Sequence, residues 1–336
     1  TGKIQDASDG TEDGLIEFAN KKAGSNVITA RLKSDKLQLL NSTGLEVAGL
    51  TYPTADGSNG QVLTTDGSGT LSFSTISGGA SDINGLSDAK TFGTNSIMIG
   101  DATTGTIDAA NNNTGVGIDV FAALTSGDDN VAVGTSALTA NTTGSYNTAI
   151  GKSALASNTS AEENTAVGYQ ALDANTTGGN NTAMGSGALG ANTTGARNTG
   201  LGKNALLVAT TANENTAVGN QAMLDVTTGS QNVGIGHAAL YELTTGSYNT
   251  AVGTNSMQNN TTASYNNAFG YQALDANTTG SRNAAFGSRC LTANTTGLNN
   301  TAVGEFSLAA NTTGSYNTAV GTGAMAYNST IYSHNT

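Results

Sequence analysis

A glycine that returns every 17 residues constrains this chain more than anything else in it. Gly100, Gly117, Gly134, Gly151, Gly168, Gly185, Gly202, Gly219, Gly236, Gly253, Gly270, Gly287, Gly304 and Gly321 follow one another with no insertion or deletion. From Gly117 onward an asparagine stands four residues earlier: Asn113, Asn130, Asn147, Asn164, Asn181, Asn198, Asn215, Asn232, Asn249, Asn266, Asn283, Asn300 and Asn317. The consensus unit reads N-T-A-V-G-x-x-A-L-x-A-N-T-T-G-S-x. A strict period of this kind marks a solenoid, in which each repeat is one stacked rung. A one-residue slip would exchange inside and outside, which explains why the spacing never varies.

The fold class that follows is all-β: a parallel β-solenoid or β-roll of 17-residue coils. About 14 coils cover residues 96–336, the last of them incomplete. Four segments are expected: a short β-meander over 1–50, a β-hairpin region over 51–79, a linker over 80–95, and the array. In the meander, Leu15–Phe18, Val27–Leu32, Leu37–Leu40 and Leu45–Val47 read as short strands separated by Gly, Asn, Ser and Asp. In the second segment Tyr52-Pro53 opens a turn. Gln61–Thr65 and Thr70–Ser74 then flank Asp66-Gly67-Ser68-Gly69, a loop whose glycines suit a tight hairpin. Ser77 to Ala80 forms a flexible joint, and a polar stretch from Asp82 to Ala89 leads into the array.

Composition excludes several functions. The 336 residues carry a net charge of −12, and no basic stripe is available to neutralise phosphates, so nucleic acid is not an expected partner. No apolar run approaches the ~18 residues of a membrane span, so insertion is not expected either. The chain lacks an initiator Met and a signal-peptide pattern, and reads as a processed chain or an excerpt. The one cysteine, Cys290, allows no intrachain disulfide framework.

Inside the repeat, two apolar pairs recur. One ends just before the marker glycine, and the other begins three residues after it. If both lie on strands, their members point to opposite faces. The second members are large (Val133, Ile150 and Val167, then Leu138, Leu155 and Leu172, and so on) and are expected to line the inside. The first members (Ala132, Ala149 and Ala166, then Ala137, Ala154 and Ala171) are always small. On an outer face, unbroken smallness implies close approach of another backbone, so the coil is expected to pack against copies of itself. The marker asparagines form an amide ladder from rung to rung, and Asn-Thr-Thr-Gly makes the closing turn.

The unit N-T-A-V-G-x-x-A-L is similar to the head repeats of trimeric autotransporter adhesins, although that repeat is typically shorter. The stretch Asn164 to Gly178, N-T-A-V-G-Y-Q-A-L-D-A-N-T-T-G, resembles repeat-bearing tail-fibre proteins of marine bacteriophages. The Tyr52–Phe73 segment and Asn84–Ala89 also look fibre-like. The resemblance implies left-handed parallel β-rolls wound as an intertwined homotrimer. It further implies a structural shaft of a viral tail fibre, located on the virion and outside the cell. Its partners would be itself, other fibre or virion proteins and host surface glycans. An adhesin or filament on a bacterial cell surface is the alternative, and an ice- or glycan-binding solenoid a distant one.

Nothing in the sequence asks for an enzyme, a cofactor or a metal. His237 stands in a variable slot and reads as a solvated surface residue, and Cys290 as packing filler. His334 falls 17 residues after Asn317, where the next ladder asparagine belongs. Asp128-Asp129 and Glu162-Glu163 do not recur at a fixed phase, as a calcium-binding array would require. The sequons at Asn141, Asn158, Asn175, Asn192, Asn260, Asn277, Asn294, Asn311 and Asn328 admit a glycan ladder. Turn chemistry explains the same residues without a modifying enzyme. Adjacent threonines such as Thr142-Thr143 point in different directions and offer no flat T-x-T face for ice. One outward column (Tyr146, Arg197, Tyr248, Tyr265, Arg282 and Tyr316) is the candidate contact surface for glycans.

Overall fold

The computed structural model describes residues 109–327 and 333–335 and the strand residues before them (3–5, 15–22, 25–32, 37–39, 46–47, 50–51, 61–65, 71–75, 89–92 and 96–100). It also describes residues 53, 58, 66–68, 70 and 94–95. The joint from Ser77 to Ala80, the polar stretch 82–88, Tyr52 and the sequon at Asn328 lie outside the described residues. Two compact units divide the chain, Thr1–Ser81 and Asp82–Thr336.

In the first unit, β1 (Lys3–Gln5), β2 (Leu15–Lys22), β3 (Ser25–Leu32) and β4 (Leu37–Leu39) form an antiparallel sheet in sequence order. A short pair, β5 (Glu46–Val47) and β6 (Leu50–Thr51), follows. Then β7 (Gln61–Thr65) pairs antiparallel with β8 (Leu71–Thr75). Asp66 closes that loop by accepting hydrogen bonds from the Ser68 and Thr70 backbone N–H groups at 2.8 and 3.0 Å. These bonds stabilise the carboxylate and hold its pKa down at about 2.

The second unit is one long sheet. Its first strand, β9 (Ala89–Phe92), lies within the segment read as a linker and pairs antiparallel with β10 (Ser96–Gly100). From β10 every step is parallel: β11 (Thr114–Gly117), then the three-residue strands β12 (Val131–Val133) through β23 (Thr318–Val320). Each residue pairs with the one 17 positions on, as in Ala149↔Ala166 and Ile150↔Val167. The array is a parallel β-solenoid with no helix among the described residues.

Hydrogen bonds between coils run around the whole circuit, so the strand is only one side of each rung. The Thr148 N–H donates to Asn164 O at 2.8 Å on the strand side, and the Leu155 N–H donates to Ala171 O at 3.0 Å on the next. That next side is not a strand. Its residues two and four places after the marker glycine are left-handed, as in Ser153 (φ 58°) and Leu155 (φ 52°). The marker glycine is required for two reasons. Gly134 has φ 125°, and a Cβ there would lie 2.7 Å from the carbonyl of Gly151 in the next coil.

Both apolar pairs correct the expectation of inside and outside. In the strand pair the small member points in: Ala132, Ala149 and Ala166 are fully buried, whereas Ile150 and Met184 are 40% and 47% exposed. In the second pair both members are buried, Ala137 together with Leu138 and Ala154 together with Leu155. Two-residue alternation holds for an extended strand, and the left-handed residues of the second side abolish it. Smallness therefore reflects a narrow interior and not a neighbouring chain. A Cβ on Gly234 would meet Met223 Cγ at 2.8 Å, and one on Gly115 would meet Val120 and Phe121 at 3.0 and 3.1 Å. The inward strand position packs directly on the large side chains of the second pair, and a close-packed interior leaves room for one large residue per rung.

The last coil differs in length. Asn335, 18 residues after Asn317, takes the ladder position, with its N–H on Asn317 Oδ1 at 3.1 Å. His334 instead enters the outward column and stacks on Tyr316 at 4.8 Å. Its place is set by one extra residue in the last repeat, 18 residues long between Asn317 and Asn335.

Candidate functional surfaces

Columns of side chains run along the array, and the period places each. The first is the inner asparagine ladder. Each ladder asparagine is buried, and its Oδ1 accepts the backbone N–H of the asparagine 17 residues on: Asn130 to Asn113 at 2.9 Å, Asn147 to Asn130 at 3.0 Å. Its amide donates to a turn carbonyl, as Asn130 Nδ2 does to Gly144 O at 2.9 Å. Both functions of the amide are used, so a polar group sits in the core without an orphaned atom.

A second, interrupted ladder is formed by the sequon asparagines. Asn141, Asn158, Asn175, Asn192, Asn260, Asn277, Asn294 and Asn311 are fully buried. Asn158 Nδ2, for example, donates to Asn141 Oδ1 at 2.9 Å and to Ala161 O at 3.1 Å. A glycan would have to leave from a nitrogen that faces the interior, so turn chemistry is the role these residues have. Where the turn lacks asparagine, Ala209, Val226 and Leu243 fill the same buried place.

The outward column holds Tyr146, Arg197, Tyr248, Tyr265, Arg282 and Tyr316. The tyrosines are half to 60% exposed, and Tyr146 and Arg197 adopt left-handed backbones (φ 60° and 58°). Neighbouring rungs engage one another here. Tyr248 and Tyr265 stack at 4.9 Å, Arg282 lies over Tyr265 at 5.5 Å, and Arg197 pairs with Glu214 at 2.9 Å. Such contacts are worth little at an exposed surface. The column is a set of short stacked groups with Tyr146 standing apart.

A further column was missed by reading the large residues as interior. Ile99, Val116, Val133, Ile150, Val167, Met184, Leu201, Val218, Ile235, Val252, Phe269, Phe286, Val303 and Val320 all face outward from the long sheet, half-buried or exposed. Phe269 and Phe286 stack at 5.0 Å. Beside it on the same face runs a mostly threonine column, including Thr148, Thr165 and Thr182. One signal for it existed. The inward position takes only Ala or Gly from Gly115 onward, whereas this one accepts Val, Ile, Met, Leu or Phe, a freedom of size that a closed interior would not permit.

No group of His, Cys, Asp and Glu able to hold a metal occurs among the described residues. His237 is exposed, and Cys290 is buried, with its thiol pushed up to about 12 by desolvation. No described helix is long and apolar enough to cross a membrane. No family model, curated protein or solved structure matches the chain.

Proposed function

We propose that this chain is the shaft segment of a homotrimeric fibre, a viral tail fibre or similar appendage, holding a receptor-binding tip away from its particle. The observation that carries the reading is the unbroken apolar column from Ile99 to Val320 on the outer face of one parallel sheet. At ~4.8 Å per rung the column is on the order of 60 Å long. With ~60 Å² exposed by each of its side chains it presents on the order of 800 Å² of largely apolar surface, one partner's share of a standard interface. A typical monomer's largest patch is about 300–600 Å².

The small inward stripes no longer support self-association, and the proposed interface moves to the opposite face of the same strands. Parallel chains that set these columns against a common axis would bury like against like at every rung, a closed symmetric arrangement. The count of three comes from the resemblance of the N-T-A-V-G unit to trimeric adhesin heads. Stiffness would come from coil-to-coil hydrogen bonds on every side and from two asparagine ladders. Replacing Val218 and Val252 with lysine tests the reading. Each mutant coil should keep its fold while the assembly dissociates, because lysines on the column would face one another across the axis. An unchanged assembly would refute this interface.

A further inference from the structure

The side after the marker glycine is filled by long side chains over four middle coils and carries short ones before and after them. Five residues past each marker, Leu207, Leu224, Tyr241 and Gln258 occupy consecutive coils, and then Asp275, Thr292, Ala309 and Ala326 follow. With small residues on the floor, a hollow of about 580 Å³ spans four coils, roughly 14 Å at ~4.8 Å per rung. Gln272, Arg289 and Phe306, at one place in successive coils, form one wall, and Tyr327, almost fully exposed, also lines the hollow. A second hollow of about 440 Å³ shares Phe306, Ala309 and Tyr327 and continues the first past Gly323.

The chemistry of the lining is selective. Asp275 is half-buried, lines the hollow, and its carboxylate takes no hydrogen bond from within the chain. A half-buried carboxylate without donors gains from a hydrogen bond supplied by a ligand in the hollow. Burial also raises the Asp275 carboxyl above its ordinary pKa, in keeping with its lack of donors. Arg289 is held in place by Gln272, to whose Oε1 its Nε donates at 3.2 Å, and lies over the Tyr271 and Phe306 rings at 5.6 and 5.8 Å. Those contacts leave its terminal N–H groups available to an acceptor. Phe306 and Tyr327 add aromatic surface along the groove.

We propose that this groove binds a neutral oligosaccharide. Sugar hydroxyls both donate and accept, matching the Asp275 carboxylate and the Arg289 guanidinium, and the C–H face of a pyranose suits an aromatic ring. A groove of this length accommodates two to three sugar units. The same hexapeptide, Tyr-Gln-Ala-Leu-Asp-Ala, occurs six coils earlier at Tyr169–Ala174 and also borders a hollow, of about 390 Å³, lined by Gln170, Asp173, Gly187 and Gly190. There the two glycines replace Arg289 and Thr292, and no aromatic ring lines the hollow. The earlier hollow is therefore the weaker copy. The site needs no second chain, so a sugar-binding monomer would refute the trimeric shaft and leave this inference standing.

The test uses the full chain and a fixed panel of maltotriose, mannotriose, chitotriose and lactose, followed by saturation-transfer NMR and calorimetry. At least one probe should bind with Kd below about 10 mM. Asp275→Asn and Phe306→Ala should each weaken it about tenfold or more, with Asp173→Asn within about twofold of the native chain. Cys290, buried one coil above Asp275, reports the fold of each variant by staying unlabelled. If Phe306→Ala exposes that thiol, Phe306→Leu replaces it and should give the same loss of sugar affinity. No binding by any probe, or binding indifferent to Asp275→Asn and the Phe306 variant, would overturn the proposal.

Discussion

Each coil carries two pairs that look alike in sequence, a small residue followed by a large one, and uses them differently. In the strand pair, Ala217 points in and Val218 points out. In the turn pair, Ala205 and Leu206 both point in. The difference lies in the backbone. Thr216–Val218 is extended, so neighbours alternate, whereas Asn204 (φ 57°) and Leu206 (φ 54°) are left-handed and turn successive side chains to one face. The coil thus obtains its core from the irregular side and its outer apolar face from the regular one.

The sharpest way to break this comparison is to exchange charge between its halves. Ala217→Glu places a carboxylate in a fully buried position with no partner. It should cost several kcal/mol, on the scale of an uncompensated buried charge, read as loss of cooperative unfolding around that coil by hydrogen exchange. Val218→Glu on the other face should leave protection of the same coil nearly unchanged in the dissociated chain.

A smaller effect separates the two large residues. Leu206→Ala opens a cavity in the core and should destabilise by about 2–5 kcal/mol in denaturant melts. Val218→Ala should cost the isolated chain no more than about 0.5 kcal/mol. Equal losses would mean that both side chains are interior, as the sequence alone suggested.

The mildest probe compares thiols. Cys290 occupies the small inward place of its turn pair, with its pKa raised to about 12 from an ordinary value near 9. The folded state favours the protonated thiol, so its influence is neutral below pH 9. Stability then falls as pH rises from 9 toward 12, because the unfolded chain ionises first. The native thiol should resist iodoacetamide at pH 8.5, whereas a cysteine introduced by Val303→Cys should react readily in the dissociated chain. Rapid labelling of Cys290 in the folded protein would contradict its placement.

Much of the architecture was legible because a fixed period leaves few alternatives. The 17-residue glycine spacing gave parallel pairing and register, and the ladder asparagines gave a position whose amide could serve two neighbouring rungs. Facing was not legible, for a definite reason. Alternation assigns faces only to extended residues, and nothing about Ser-Ala-Leu at 153–155 announces left-handed φ at Ser153 and Leu155, a conformation few non-glycine residues adopt. The same gap hid the C-terminal groove, since side chains two residues past the marker form a wall, over a floor of short ones five past it, only once that side is known to face outward. His334 was displaced from the ladder by a single added residue, which a count by seventeens passes over.

The central claim is that the Val/Ile/Phe column is the meeting face of three parallel chains, and the most direct measurement is solution mass by sedimentation equilibrium. The account predicts about 100 kDa, three times the 33.3 kDa of one chain. Val218→Lys combined with Val252→Lys should return the mass to that of a single folded chain. A native protein that sediments as a folded 33.3 kDa monomer would contradict it.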